Sequence, residues 1–322
     1  MLRYVLALAL AAQTFVHPAR AEYPDRPIRI IVPWAAGGNV DIIGRGVAQA
    51  LAEQLGQPVY VENQAGASGT VGAGNVARSA PDGHTLLFNS VVQTFIDALL
   101  PSVPYRPEQD FAPVGQVSAV PFLLVANPRT PFEDVPGFVR WAREQRQGVS
   151  YGSAGVGSTN HLAAALFASL SGLDLQHVPY RGSSLAVLDV SSGQIPILFD
   201  ATTGVSAGIR GGLLKPIAMT SARRSSFYPD LPTFAESGYP DMVFSTWHGL
   251  FAPSGVPAPV LQRLSDALRQ VTQAPEFRRR LEDAGAEVVF SRPAEFLAFS
   301  QAERARWTGI IRASGATASG NN

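Results

Sequence analysis

The sequence predicts an α/β protein of two similar lobes with a ligand cleft between them, and three observations carry that expectation. A short apolar run, IRIIV at residues 28–32, passes through small residues into a helical pattern. The same arrangement recurs roughly 120 residues later, at residues 149–160. Each copy is followed by its own alternation of strand and helix, the rhythm of a parallel sheet.

Ile28, Ile30, Ile31 and Val32 lie between Pro27 and Pro33. A near-continuous β-branched run of this kind reads as a strand buried on both faces. Trp34, Ala35, Ala36, Gly37 and Gly38 follow, and Asp41 opens a helix whose apolar positions are Ile42, Ile43, Val47, Leu51 and Leu55. A strand, a small-residue loop and a helix start make a cup of backbone N–H groups. These donors lack intrahelical partners and carry partial positive charge, so the cup suits an anion. Residues 58–62 read as a second strand, residues 66–74 lead into a helix ending near Ala80, and Pro81-Asp82-Gly83 is a turn. Residues 85–88 read as a third strand ending at Asn89 and Ser90.

Residues 111–119 and 122–127 read as two strands, and residues 133–147 as an amphipathic helix with Phe138, Val139 and Trp141 inward. Val149-Ser150-Tyr151 is the strand of the second copy, residues 152–157 its small-residue loop, and Ser158-Thr159-Asn160 its helix cap. Residues 176–180 are the next strand, Arg181-Gly182-Ser183-Ser184 opens a helix, and residues 195–199 form a strand ending at Asp200. The tail reads as helices at 260–271, 276–284 and 293–313, with a strand at 287–290 and a frayed end at 320–322.

The first residues read as a removable export signal. Arg3 is a basic start, residues 4–16 are apolar, and Ala19-Arg20-Ala21 fits a small-x-small cleavage site. The apolar run is shorter than the about 20 residues a membrane span needs. The mature chain is expected to begin at Glu22 in a bacterial periplasm. The whole sequence has 25 basic and 25 acidic residues, so losing Arg3 and Arg20 leaves 23 against 25, a net charge of −2. That balance argues against nucleic acid as a partner. With no cysteine, disulfides and thiolate metal sites are excluded and stability must come from the core.

Several motifs fail on context. Gly72-x-Gly74-x-x-Ala77 is a loosened dinucleotide fingerprint, but its strand ends too far upstream and no acid follows to hold a ribose. Gly204-Val205-Ser206-Ala207-Gly208 matches the hydrolase nucleophile elbow, yet the preceding strand ends at Asp200, which places Ser206 inside a helix start. An exported serine hydrolase built on Ser206 is the rival reading. His84, His161, His177 and His248 lack paired ligand spacing, so no metal and no cofactor are expected.

The candidate ligand-binding residues are Trp34, Ala36, Gly37, Gly38 and Asp41 from the first cup, and Ser153, Gly155, Ser158, Thr159 and His161 from the second. Ser90 is a wall residue, and Tyr180 and Asp200 stand at strand carboxyl ends, where open α/β sheets bind ligands. Asp41 is also read as the first helix cap. Asp200 is either a cap or an acceptor for a bridging water or a ligand amine or hydroxyl. Arg181 is read as a solvated side chain beside a turn, with a ligand carboxylate as its alternative partner.

The stretches YPDRPIRIIVPWAAGGNVD (23–41), YGSAGVGSTNHLAA (151–164), HVPYRG (177–182), DLPTFAESGYP (230–240) and WHGLFAPSGVPAPV (247–260) resemble the Bug, or tripartite tricarboxylate receptor, family of periplasmic solute-binding proteins. Trp34 stands where the family usually has phenylalanine, and Asn39 where a small residue or proline is commoner. The resemblance implies a type II periplasmic-binding fold closing on a small organic acid, with no catalysis. It implies a monomer that delivers its ligand to membrane transporter subunits or to a sensor receptor. It also implies crossovers near Leu124 and Thr246: residues 22–124 plus 247–322 would form one lobe and 125–246 the other.

Overall fold

A computed structural model describes residues 23–100, 102–225 and 227–314. The export signal, its cleavage after Ala21 and the chain end at 320–322 lie outside the described residues. Strand β1 (Ile28–Val32) pairs in parallel with β2 (Val59–Asn63) and β3 (Thr85–Ser90). Helix α1 (Asn39–Leu55) buries Ile43, Val47, Leu51 and Leu55 at helical spacing and stops at Gly56, whose φ of 67° is a left-handed cap. Helix α2 (Thr70–Ala77) follows a 3-10 turn (Ala67–Gly69) and ends earlier than the sequence suggests. Helix α3 (Val92–Leu99), which the sequence reading passes over, starts almost directly after β3.

Residues 111–126 form one strand, β4 (Phe111–Ala126), where two were expected. The sequence breaks at Pro121 because proline lacks the ladder N–H. The backbone tolerates it because β4 changes neighbours there. Up to Pro121, which faces Ser245, it pairs with β9 (Ser245–Pro253) and, around Gln116 to Ala119, with β10 (Glu287–Ser291). From Phe122, which faces Ala201, it pairs with β7 (Ile197–Ala201) and β8 (Lys215–Met219). Strand β8 was also not anticipated.

The second half contains α4 (Val135–Glu144), β5 (Val149–Ser153), α5 (Thr159–Ser171), β6 (Leu175–Pro179), α6 (Ser183–Ser192) and α7 (Thr202–Arg210). The chain then returns through β9, which pairs antiparallel with both β3 and β4, and ends in α8 (Ala258–Gln273), α9 (Pro275–Asp283), β10 and α10 (Pro293–Ser314). The strand order is β2-β1-β3-β9-β4-β7-β5-β6. The result is two α/β halves joined through β4, with the carboxyl ends of β1, β3 and β5 directed at the space between them.

Candidate functional site

The cleft holds a cavity walled by Trp34, Ala35, Gly38, Asn39, Val40 and Ser90 from the first half, and by Ala154, Ser158, Thr159, Asn160 and Ser183 from the second. No lysine, arginine, histidine or carboxylate side chain is among these walls. Three helices of opposite halves instead begin there: α1 behind Gly38, α5 behind Ser158 and α6 behind Gly182. Each N-terminus carries roughly half a positive charge and N–H groups without intrahelical acceptors. The cavity is electropositive with electroneutral side chains, which is chemistry for an anion.

The walls are held rigidly. Trp34 Nε1 donates to Asn89 Oδ1 at 2.9 Å, and the Ser90 amide donates to the same oxygen. Asn39 Oδ1 accepts from the Val40 amide, while its Nδ2 lies 3.4 Å from His248 Nε2. Ser158 caps α5 by accepting from the His161 amide and donates to the Gly155 carbonyl. Asn160 Nδ2 donates to the Phe199 carbonyl and to Asp200 Oδ1, both at 2.8 Å. Asp200 is only 1% exposed. Burial lifts its carboxyl to about 6 against the pull of bonds from Asn160, Ala201 and Ser183.

Trp34, Gly38, Ser90, Ser158 and Thr159 therefore line the cavity, whereas Ala36, Gly37, Asp41, Ser153, Gly155, His161, Tyr180 and Asp200 stand behind or beside it. Gly38, in extended conformation, is the residue before α1; Asp41 is inside the first turn and makes no cap bond to it. The Asp41 carboxylate instead accepts from the Gly37 amide at 2.9 Å, from Arg45 Nε at 3.0 Å and from Asn63 Nδ2 at 2.8 Å. The Gly155 amide is likewise engaged by Ser153 Oγ, and the Gly157 amide by His161 Nδ1. Much of each cup is thus satisfied internally, and the N–H groups left for a ligand sit on the first helical residues. Tyr180 turns its hydroxyl to Asp189 Oδ2 at 2.6 Å and away from the cleft. Arg181 is exposed.

Ala35, Asn39, Val40, Ala154, Asn160 and Ser183 are cavity residues absent from the sequence-predicted site. A third strand–loop–helix start at residues 179–184 was the available signal for Ser183. What the sequence could not supply is the contact across the cleft. Gly182 lies so close to Ala35 that a Cβ there would stand 2.6 Å from the alanine methyl. Ser184 Oγ donates to the Ala36 carbonyl at 3.0 Å. On the other side Ser68 Oγ reaches the Val156 carbonyl at 2.5 Å. Each cup is sealed from outside by residues of the opposite half.

Among the described residues no catalytic set is assembled around Ser206. Ser206 lies within α7, 3% exposed, with its hydroxyl bonded to the Thr202 carbonyl, the Tyr228 hydroxyl and the Ala284 carbonyl. No histidine is among those partners, so the nucleophile-elbow reading is withdrawn. Among the described residues no group of three or more histidines, cysteines or carboxylates could hold a metal ion, and no helix is long and apolar enough to cross a membrane.

Residues 43–316 match a family model described as the tripartite tricarboxylate transporter family receptor. The chain is 34% identical over 315 residues to protein BugT of Bordetella pertussis, covering 97% of each. It is similar to two solved Rhodopseudomonas palustris structures. MatC with bound malate is 32% identical, with a TM-score of 0.85 over 90% of this chain and 100% of that one. Rpa4515 with adipate is 29% identical, with a TM-score of 0.90 over 92% and 99%.

Proposed function

The chain belongs to the tripartite tricarboxylate transporter receptor family of periplasmic solute-binding proteins, receptors without enzymatic activity, and on that premise we propose that it captures a small organic acid between its two halves. The observation that carries this reading is the convergence of three helix N-termini on a cavity without a charged side chain. A carboxylate would take N–H groups at the starts of α1 and α5 together with the Ser90 and Thr159 hydroxyls, since the Ser158 hydroxyl already donates to the Gly155 carbonyl and Ser183 bonds to Asp200. Such donors are fixed by the fold and need little ordering on binding. The relatives holding malate and adipate make dicarboxylates the first class to test.

In this reading residues 22–124 plus 247–322 form one lobe and 125–246 the other, moving about β4 and β9. The chain is exported with cleavage after Ala21, acts as a monomer and hands its ligand to membrane transporter subunits or a sensor receptor. A thermal-shift screen of malate, adipate, tricarboxylates, acidic amino acids and aromatic acids, followed by calorimetry of hits, tests it. Saturable binding with the acid recovered unchanged supports the receptor. Absence of binding by every acid, or appearance of a product by mass spectrometry, sinks it.

A further inference from the structure

Asn160 stands in the second-half wall of the cleft, directly after the first residue of α5. Its Nδ2 donates one hydrogen to the Phe199 carbonyl and the other to Asp200 Oδ1, both at 2.8 Å. Turned over, the amide would set its oxygen against a carbonyl and a carboxylate, so its orientation is fixed. Asp200 Oδ1 is itself held, because the Ala201 amide donates to it at 2.8 Å. Both N–H groups of the Asn160 side chain are therefore spent on the protein. Its Oδ1 has no hydrogen-bond partner among the described residues and can only accept.

The rest of the cleft offers the opposite chemistry. The helix starts and the Ser90 and Thr159 hydroxyls supply hydrogens, which suits a carboxylate. A carboxylate oxygen brought against Asn160 Oδ1 meets another acceptor and is repelled. Water satisfies this oxygen when no ligand is bound. A ligand that displaces the water without bringing an O–H or N–H loses that bond. Asn160 follows Thr159 in the chain, so the acceptor sits beside donors available to the carboxylate, and the hydrogen it needs belongs on a substituent next to that carboxylate. Three helix N-termini and walls without a carboxylate side chain oppose an ammonium there, which leaves a hydroxyl.

We propose, on the reading of the cleft as a carboxylate site, that Asn160 determines specificity by accepting a hydroxyl hydrogen from the ligand. The cleft then selects dicarboxylates hydroxylated beside one carboxylate over unsubstituted ones. Calorimetry of the mature protein tests this with succinate, glutarate and adipate, each compared with its 2-hydroxy, 2-methyl and 2-amino derivative. The methyl acids match the hydroxy acids in size and lack the donor. For the chain length bound most tightly, the hydroxy acid should bind about tenfold tighter than the unsubstituted and methyl acids, the scale of one hydrogen bond.

Asn160→Leu should abolish that preference. Asn160→Ser withdraws the amide oxygen but keeps a hydroxyl to donate to the buried Phe199 or Asp200 oxygen. It should also abolish the preference, and it serves where leucine prevents folding. A merely structural role would weaken all the acids equally and leave the ratio in place. Equal affinity for hydroxy and methyl acids, a preference for the amino acid, or a ratio that survives the substitutions would overturn the assignment. Binding of none of the series would also overturn it, while capture of any other acid in the thermal-shift screen would leave the receptor reading standing.

Discussion

The Gly37 amide donates to Asp41 Oδ2 at 2.9 Å, so one N–H of the first cup is committed to the protein's own carboxylate. Burial alone would raise the Asp41 carboxyl, but the bonds from Arg45, Gly37 and Asn63 together hold it below its ordinary 3.8. A carboxyl depressed in the folded state contributes stability above its unfolded value and loses it as pH falls through the folded value. Asp41→Ala should therefore destabilise the protein by about 2–3 kcal/mol at neutral pH, the scale of hydrogen bonds to a charged group. The difference from wild type should shrink below pH 3.8 in urea unfolding. A neutral effect on stability would return the Gly37 amide to the ligand.

Gly182 faces Ala35 across the cleft with φ of 164°, an extended conformation open to any residue. Gly182→Ala should consequently fold with an almost unchanged melting temperature. Its new methyl, 2.6 Å from the Ala35 Cβ, should hold the halves apart. Calorimetry with an acid bound by wild type should show at least tenfold weaker binding. Wild-type affinity would mean that the closed contact is not needed for capture.

Gly37, at φ of 81°, is a left-handed position where any side chain is strained by roughly 1–2 kcal/mol. A Cβ there would also stand 3.6 Å from the Ser184 Cβ, so the branches of valine press on the opposite half. Gly37→Val should abolish binding, whereas Arg181→Ala should cost no more than about 1–1.5 kcal/mol. The reverse pattern in calorimetry would assign the carboxylate to the arginine.

His161 and His177 stack with ring centroids 4.2 Å apart behind the second cup. Burial brings His161 down to about 4; burial and then the neighbouring His161 bring His177 to about 3. Since the folded state holds them neutral, their stability is full above the ordinary value of 6.5 and is lost as pH falls below it. At pH 5 the penalty is roughly 2 kcal/mol per buried histidine. His161→Gln should lower stability at pH 7.5 but reduce the further loss on going to pH 5 by about that amount, as read by urea unfolding at the two values. An unchanged pH dependence would remove His161 as its source.

Both strand–cup–helix units were legible because their signals are local: a β-branched run, small residues, then apolar positions three and four apart. The strand through Pro121 was not, because its break depends on which strands lie alongside. Helix α3 and strand β8 are short elements with weak signals of their own. At the site, Gly38, Ser158 and Thr159 could be placed from helix starts alone, and Ser90 from the end of a strand. Asp41 could have been read better: an acid three residues after the cap position often reaches back to an amide before the helix. The pairing of Ala35 with Gly182 is a property of folded distance and has no local trace.

Strand β4 and its neighbour β9 also govern when the first half of the molecule can be completed. Phe88 in β3 is bonded alongside Leu250, and Gln116 in β4 alongside Gly249, so the edges of β3 and β4 stay open until the chain has been delivered well past the second half. Closing so long a loop adds an entropic cost that grows only logarithmically with length, but it makes assembly slow. Until β9 has been made, the first half therefore carries an unpaired sheet edge of the kind that pairs with other chains.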